Sequence, residues 1–292
     1  MRILLFGKNG QLGWELQRTL ACLGEVTTFD FPQLDFSQPD ELRSAVRQSR
    51  PQVIVNAAAY TAVDRAESEP EKARAVNTTA PILLAVEAQS LKAALIHYST
   101  DYVFDGTKPG TYVETDDPNP LNQYGLTKLE GEKGILAAGS AAWIFRTSWV
   151  FSSRRDSFVT KVLGWSRSQA QMKVVADQTG SPTWSRMLAE ITAQVIAMGR
   201  GDLFGWVEQS TGLYHLAGDG GCSRFEFAQE ILRLDPESSQ QVVKELLPAK
   251  SAEFPTPACR PLNAILDCDK FKTTFGISLP PWRDALQLML SQ

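Results

Sequence analysis

The chain has 292 residues, of which 43% are hydrophobic and 21% charged, and its formal net charge is −4. That length and balance can bury a sizeable core without covalent staples, and they exclude wholesale disorder. The acidic balance offers no overall basic field for nucleic acid or anionic lipid, and no apolar run approaches the roughly 18–20 residues of a membrane span.

The N-terminal thirty residues carry the strongest local pattern. Ile3-Leu4-Leu5-Phe6 is a short continuous apolar run, as expected of a parallel strand buried on both faces. Gly7-Lys8-Asn9-Gly10-Gln11-Leu12-Gly13 follows at once, and Leu12, Leu16 and Leu20 then recur every four residues along one side of a helix. Val26 to Phe29 read as a second strand that closes at Asp30. Strand, glycine loop, helix, strand and acid in this order predict a dinucleotide-binding βαβ unit. The glycine spacing is G-x-x-G-x-x-G rather than G-x-G-x-x-G, but both let the backbone turn tightly and bring a pyrophosphate onto a helix N-terminus.

Further along, Ser37-Gln38-Pro39-Asp40 reads as an N-cap and first turn, opening a helix that Pro51 stops. Val53-Ile54-Val55 is a third buried strand. Residues 70–90 read as helical, kinked or broken near Pro81. Ala94-Leu95-Ile96 leads a fourth strand into His97-Tyr98-Ser99-Thr100, a helix spans about 122–137, and Trp143-Ile144-Phe145-Arg146 is a fifth strand. This alternation predicts an α/β fold, a doubly wound parallel (Rossmann) sheet with right-handed crossovers. Beyond about residue 150 prolines and glycines cluster at 180–182, 218–221 and 255–261. The expected division is 1–150 for dinucleotide binding and 151–292 for a smaller C-terminal substrate-binding lobe, with the chain returning to the first domain between about 175 and 218.

The residue inventory narrows the chemistry. Cys22, Cys222, Cys259 and Cys268 show no C-x-x-C spacing, and His97 and His215 are the only histidines, so no metal site is expected. The first residues lack a signal-peptide pattern, and with these thiols the expected location is cytoplasmic. Asp30, 20 residues after Gly10, stands where an acid binds the adenosine ribose hydroxyls; that favours NADH, while Lys8 in the loop offsets repulsion of a 2′-phosphate, so NADPH and NADH both stay open. Tyr124 and Lys128 are one helical turn apart, and an ammonium beside a phenol would lower its pKa. Ser99-Thr100-Asp101-Tyr102-Val103-Phe104 and Asn56-Ala57-Ala58-Ala59 both follow strands, at the edge where open α/β sheets bind ligands.

Together with Arg146 to Phe151, Asp177 to Thr183 and Pro255 to Pro261, these segments resemble the extended short-chain dehydrogenase/reductase family over nearly the whole chain. The resemblance implies hydride transfer from NADPH or NADH to the C4 ketone of a dTDP-linked 6-deoxy-4-hexulose, the last step of dTDP-L-rhamnose synthesis. It implies that Tyr124 donates a proton to the developing oxyanion, that Lys128 lowers its pKa and holds the nicotinamide ribose, and that Thr100 hydrogen-bonds the ketone. Cofactor contacts are expected at Gly7, Gly10, Gln11, Leu12, Gly13, Asp30, Asp35, Phe36, Ala59, Tyr60, Thr61, Tyr98, Tyr124 and Lys128. Sugar-nucleotide contacts are expected at Val63, Thr100, Asp101, Tyr102, Tyr124 and Trp149. Arg260 is expected either at the diphosphate or in a structural ion pair. Some relatives dimerise through glutamate-bound metal; Glu15 is present here, but Arg186 stands where the second acid is expected, so a monomer or weak homodimer without metal is predicted. The alternatives are a nucleotide-sugar epimerase or dehydratase of the same family, or a binding protein similar to the regulatory subunit of methionine adenosyltransferase. A dehydratase would need an acid/base pair beside Thr100, but Asp101 is followed by Tyr102.

Overall fold

A computed structural model describes residues 1–292. Five strands come first, separated by helices: β1 (Arg2–Phe6), α1 (Gln11–Ala21), β2 (Glu25–Phe29), α2 (Pro39–Ser49), β3 (Val53–Asn56), α3 (Ala80–Leu91), β4 (Ala94–Thr100), α4 (Gln123–Ala137) and β5 (Ala142–Thr147); all but the edge strand β2 are almost continuously buried. Within β1, Ile3 and Leu5 face one core cluster while Leu4 and Phe6 face the other, the period-2 alternation of a strand covered on both sides. The cluster beneath Leu4 is closed by α2 and α3, that beneath Ile3 by α1 and a helix from much later in the chain.

Local chemistry explains most boundaries. Helix α2 begins with Pro39 at its first position, where the missing N–H costs nothing, and ends at Arg50 in a left-handed conformation (φ 41°) just before Pro51. Ser37 does not cap it: Gln38 holds the N-cap position, without a side-chain bond, and the Ser37 N–H instead donates to Asp35. The expected break near Pro81 takes a milder form. Pro70–Arg74 is α-helical, Ala75–Thr79 widens into a π turn, and α3 resumes at Ala80, so the wide turn absorbs the proline without ending the helix.

After β5 the chain builds a smaller unit around α5 (Phe158–Ser166), then turns back as α6 (Ser185–Met198) and β6 (Gly212–His215). Helix α6 packs along α1 and supplies Leu188, Ile191, Val195 and Ile196 to the first cluster. Strand β6 pairs in parallel with β5, giving the order β6-β5-β4-β3-β1-β2. Every pairing in that sheet is parallel, and the order reverses beside β1, which is the doubly wound pattern. A second return follows: Phe271 and Phe275, on the helix Asp269–Phe275, pack into the same cluster. The smaller unit has its own core, in which Phe227 on α7 (Arg224–Arg233) and Trp282 on α8 (Trp282–Leu290) meet Phe151 and Trp184. Its strands Gln171–Val175 and Glu245–Ala249 pair with each other and not with the main sheet.

Candidate active site at the strand ends

The C-terminal ends of β1, β3, β4 and β5 open into a cleft of about 890 Å³. Its walls include Gly7, Gly10, Gln11, Leu12, Asp30, Asp35, Phe36, Ala59, Tyr60, Thr61, Tyr98, Tyr124 and Lys128, thirteen of the fourteen residues expected at the cofactor. Gly13 is the exception, and its role is packing. A Cβ there would lie 1.9 Å from the Gly7 carbonyl oxygen, so only glycine lets α1 sit this close to its loop. Gly7 itself has φ +84°, and a Cβ would lie 2.6 Å from the Ala58 nitrogen.

This cradle fits a dinucleotide. Gly10 caps α1 without a side-chain bond, and the first helix amides after it have no backbone acceptor, so they remain available to a pyrophosphate. Asp30 is held by two backbone donors, Asn9 N–H at 2.7 Å and Phe31 N–H at 2.8 Å, which aim its carboxylate across the loop. Lys8 is turned to Gln33 (3.0 Å). Arg155 and Asp156 also line the cleft, and sequence reasoning missed both. They sit in a short polar loop with no periodicity; Ser152 Oγ, from the same loop, donates to Gln11 Oε1 at 2.8 Å and ties it over the glycine turn. The only sequence signal was the polar run Ser152-Ser153-Arg154-Arg155-Asp156 directly after a strand end.

Tyr124 and Lys128 lie on α4, whose start is fixed by the Asn122 side chain accepting from Gly125 N–H at 2.8 Å. Lys128 is almost wholly buried. Its Nζ donates to the Tyr98 carbonyl at 2.6 Å and lies 3.1 Å from His97 Nε2. Asn56 Nδ2, 3.1 Å from His97 Nδ1, stands behind the ring, and the Ala58 N–H donates to Asn56 Oδ1 at 3.1 Å. Burial holds His97 neutral, pushing its pKa well below the usual value, with Lys128 adding to the shift. Burial also pushes Lys128 down to about 8, opposed by Glu132.

Here one expectation is overturned. Lys128 was expected to lower the Tyr124 pKa, but the phenol is pushed up, first by burial and then by Asp101, with only the neighbouring Thr100 hydroxyl opposing. Lys128 is not among the groups that shift it, because its ammonium is committed to Tyr98 and His97. Desolvation therefore wins, and Tyr124 holds its proton throughout the neutral range, the form a proton donor requires.

Thr100 also differs from the simple expectation of a donor aimed at the ketone. Its hydroxyl donates to Asp101 Oδ1 at 3.0 Å and accepts from Tyr102 N–H at 3.2 Å, so it must rotate away from Asp101 before it can serve a ligand. Asp101 Oδ2 accepts from Ser148 Oγ at 2.8 Å, and burial pushes this carboxyl up to about 6. A carboxyl raised in the folded state adds stability that is complete below its unfolded value near 3.8 and is lost as pH rises through about 6. Measured by urea unfolding, wild type should therefore lose stability relative to Asp101→Asn between about pH 4 and pH 6 and hold level above; a flat difference would contradict this assignment.

Of the remaining predicted residues, Tyr102 packs directly against Tyr124. Tyr102 meets Tyr124 edge-on, ring centroids 5.7 Å apart. Trp149 carries φ +43°, a left-handed conformation costly for a bulky side chain and often found at functional sites. Val63 opens the short helix Val63–Ala66, whose Asp64 pairs with Arg260 at 2.8 and 3.1 Å. Through that pair the Arg260 guanidinium ties the C-terminal segment to the first domain. Arg186 pairs with Glu190 at 2.9 Å on α6, and no cluster of three or more His, Cys, Asp or Glu side chains has metal-binding geometry. No helix is long and apolar enough to cross a membrane.

Comparisons with known proteins agree in kind. A family model described as RmlD substrate binding domain matches residues 1–292. The chain is 42% identical to a curated dTDP-4-dehydrorhamnose reductase of Burkholderia thailandensis, over 99% of this chain and 97% of that one. It is 41% identical to the Escherichia coli K12 protein of the same name, over 100% and 98%. The crystal structure of dTDP-4-dehydrorhamnose reductase from Bacillus anthracis in complex with NADP superposes with a TM-score of 0.88 at 32% identity, covering 99% of this chain and 98% of that one.

Proposed function

The chain belongs to the RmlD substrate binding domain family, and on that premise we propose that it reduces the C4 ketone of dTDP-4-dehydro-β-L-rhamnose to dTDP-β-L-rhamnose with NADPH or NADH. The observation that supports this reading is that Tyr124 and Lys128 share the wall of the dinucleotide cleft, with Thr100, at the end of β4, beside Tyr124. Bound there, a reduced nicotinamide supplies the hydride. Residues Gly7, Gly10, Gln11, Leu12, Asp30, Asp35, Phe36, Ala59, Tyr60, Thr61 and Tyr98 would hold it.

The chain's own residues do the rest. Tyr124 keeps its proton at neutral pH and gives it up only as negative charge builds on the C4 oxygen, so the proton is transferred late and to the atom that needs it. Thr100, rotated from Asp101, donates a second hydrogen bond to that oxygen. Lys128, with a pKa near 8, sits close enough to neutrality to shift between donor and acceptor, and it orients the ribose hydroxyls from behind Tyr98. Val63, Asp101, Tyr102 and Trp149 shape the sugar pocket. Residues 1–150, with the two returns of the chain, serve the cofactor, and the unit built around α5, α7 and α8 faces the nucleotide. All four cysteines are free thiols, which supports a cytoplasmic setting, and the Arg186–Glu190 pair supports a monomer or weak dimer without metal.

The test is steady loss of near-ultraviolet nicotinamide absorbance when the 4-keto-sugar is added with each cofactor. Sustained consumption of reduced cofactor is expected. A dehydratase or epimerase returns hydride to its own cofactor and would show none.

A further inference from the structure

Lys128 does not stand alone on the wall of the cleft. Asn56, at the end of β3, and His97, its register partner on β4, are both fully buried behind it. Four polar groups run in line: the Ala58 N–H, the Asn56 amide, the His97 ring and Lys128 Nζ. Each of the three links measures 3.1 Å. The two ends of the line, Ala58 and Lys128, both face the dinucleotide cleft, and Nζ also donates to the Tyr98 carbonyl at 2.6 Å.

Each link has a direction. A backbone N–H can only donate, so Ala58 holds the Asn56 oxygen on its own side and turns the Asn56 NH2 group to His97 Nδ1. That NH2 group can only donate as well, which makes Nδ1 an acceptor. A neutral imidazole carries one proton, so here the proton is on Nε2, aimed at Lys128 Nζ. An N–H aimed at Nζ needs a lone pair there, which an amine has and an ammonium lacks. The chain of donors therefore closes on the neutral amine, which accepts from His97 and donates to Tyr98. Protonating Lys128 would set N–H against N–H, unless the ring moved its proton to Nδ1 and Asn56 turned its amide over and gave up the Ala58 N–H. In a buried line each such mismatch is costly.

The surrounding charges do not reverse this. Glu132, one turn along α4, favours the ammonium, but it is paired with Arg146 of β5. Arg74 and Glu130 pair with each other. Strand β5 meets His97 with Ile144, the Tyr98 phenol is bonded to Thr192, and Tyr124 keeps its proton. Burial already brings Lys128 down to about 8, and the donor chain acts in the same direction. We propose that His97 and Asn56 are positioning residues that hold Lys128 as the neutral amine one helical turn from Tyr124, so that no cation draws the phenol's proton away before the substrate needs it; this rests on the reductase reading above.

The chain has two histidines, so nitrogen NMR of histidine-labelled protein at neutral pH reads both rings. His97 should carry its proton on Nε2 and none on Nδ1. His215 should show the opposite pattern and serve as the internal standard, because its Nδ1 lies 3.1 Å from the Tyr112 carbonyl, which can only accept. Asn56→Asp replaces the NH2 donor with an acceptor of nearly the same shape. It should move the His97 proton to Nδ1 and raise the Lys128 titration by about one pH unit or more, followed by carbon NMR of labelled lysine and assigned with Lys128→Met. Wild-type His97 protonated on Nδ1, or on both nitrogens, overturns the proposal. A folded Asn56→Asp protein that keeps Nε2 protonated overturns it too, as does one that moves the proton without raising the Lys128 titration. If Asn56→Asp does not fold, the wild-type spectrum decides alone. The spectra need no sugar: the expected protonation pattern in a protein that oxidises no cofactor with the 4-keto-sugar would uphold the donor chain and overturn the reductase reading instead.

Discussion

Replacing Tyr124 by phenylalanine is expected to lower kcat by about 10²- to 10⁴-fold while leaving cofactor affinity nearly unchanged. The substitution removes one hydroxyl from a ring that already packs edge-on against Tyr102, so the wall of the cleft keeps its shape. What is lost is the proton. The developing C4 alkoxide would then have to draw on Thr100, whose own proton is engaged by Asp101. Because burial keeps the Tyr124 phenol protonated, wild-type kcat should show no alkaline-side loss assignable to Tyr124 ionisation in the neutral range. A Tyr124→Phe enzyme with wild-type turnover would remove Tyr124 as the donor.

The largest effect on stability is expected from Arg146→Met. Arg146 on β5 and Glu132 on α4 form a bidentate pair at 2.9 and 2.7 Å, with both side chains only 3% exposed. Removing the cation strands a carboxylate in the core, which costs about 3–5 kcal/mol by denaturant unfolding. The pair itself is worth far less than that, since each charge gave up its hydration to enter the core. Replacing both residues, Arg146→Met with Glu132→Met, should therefore recover most of the loss. A double variant as unstable as the single one would mean that Arg146 acts through packing, for instance its place 5.1 Å over the Phe104 ring, and not through charge.

The parts of the molecule that could be read in the sequence are those fixed by neighbours along the chain. The strand, glycine loop and helix from residue 2 to 21 are local: an apolar run, glycines at positions where a Cβ would collide with backbone, and leucines at helical spacing. The residues expected at the cofactor beyond that unit came from the family resemblance, and they line the cleft. What escaped depends on distant partners. A return of the chain between about 175 and 218 was expected, but strand β6 within it is only four residues long and joins the main sheet because β5 offers it an edge, a pairing that nothing in Gly212-Leu213-Tyr214-His215 announces. The second return, through Phe271 and Phe275, is likewise a matter of which cavity those rings fill.

The electrostatics were the least legible. Spacing placed Lys128 beside Tyr124 correctly as a matter of helix geometry, but it could not show that Tyr98 and His97, on β4, would claim the ammonium. Nor could it show that Arg260 finds Asp64 196 positions away. Charge partners chosen by tertiary contact set the pKa values, and they are invisible in a linear pattern.

The central claim is transfer of hydride to C4 with Tyr124 completing the reduction. The most direct test is incubation of the 4-keto-sugar with each nicotinamide carrying deuterium at its transferable C4 position, followed by NMR of the product. Reduction at this site predicts one deuterium on the sugar C4 and an equal amount of oxidised cofactor, both strongly diminished by Tyr124→Phe. Unlabelled sugar, or product formed without any cofactor oxidation, would contradict it.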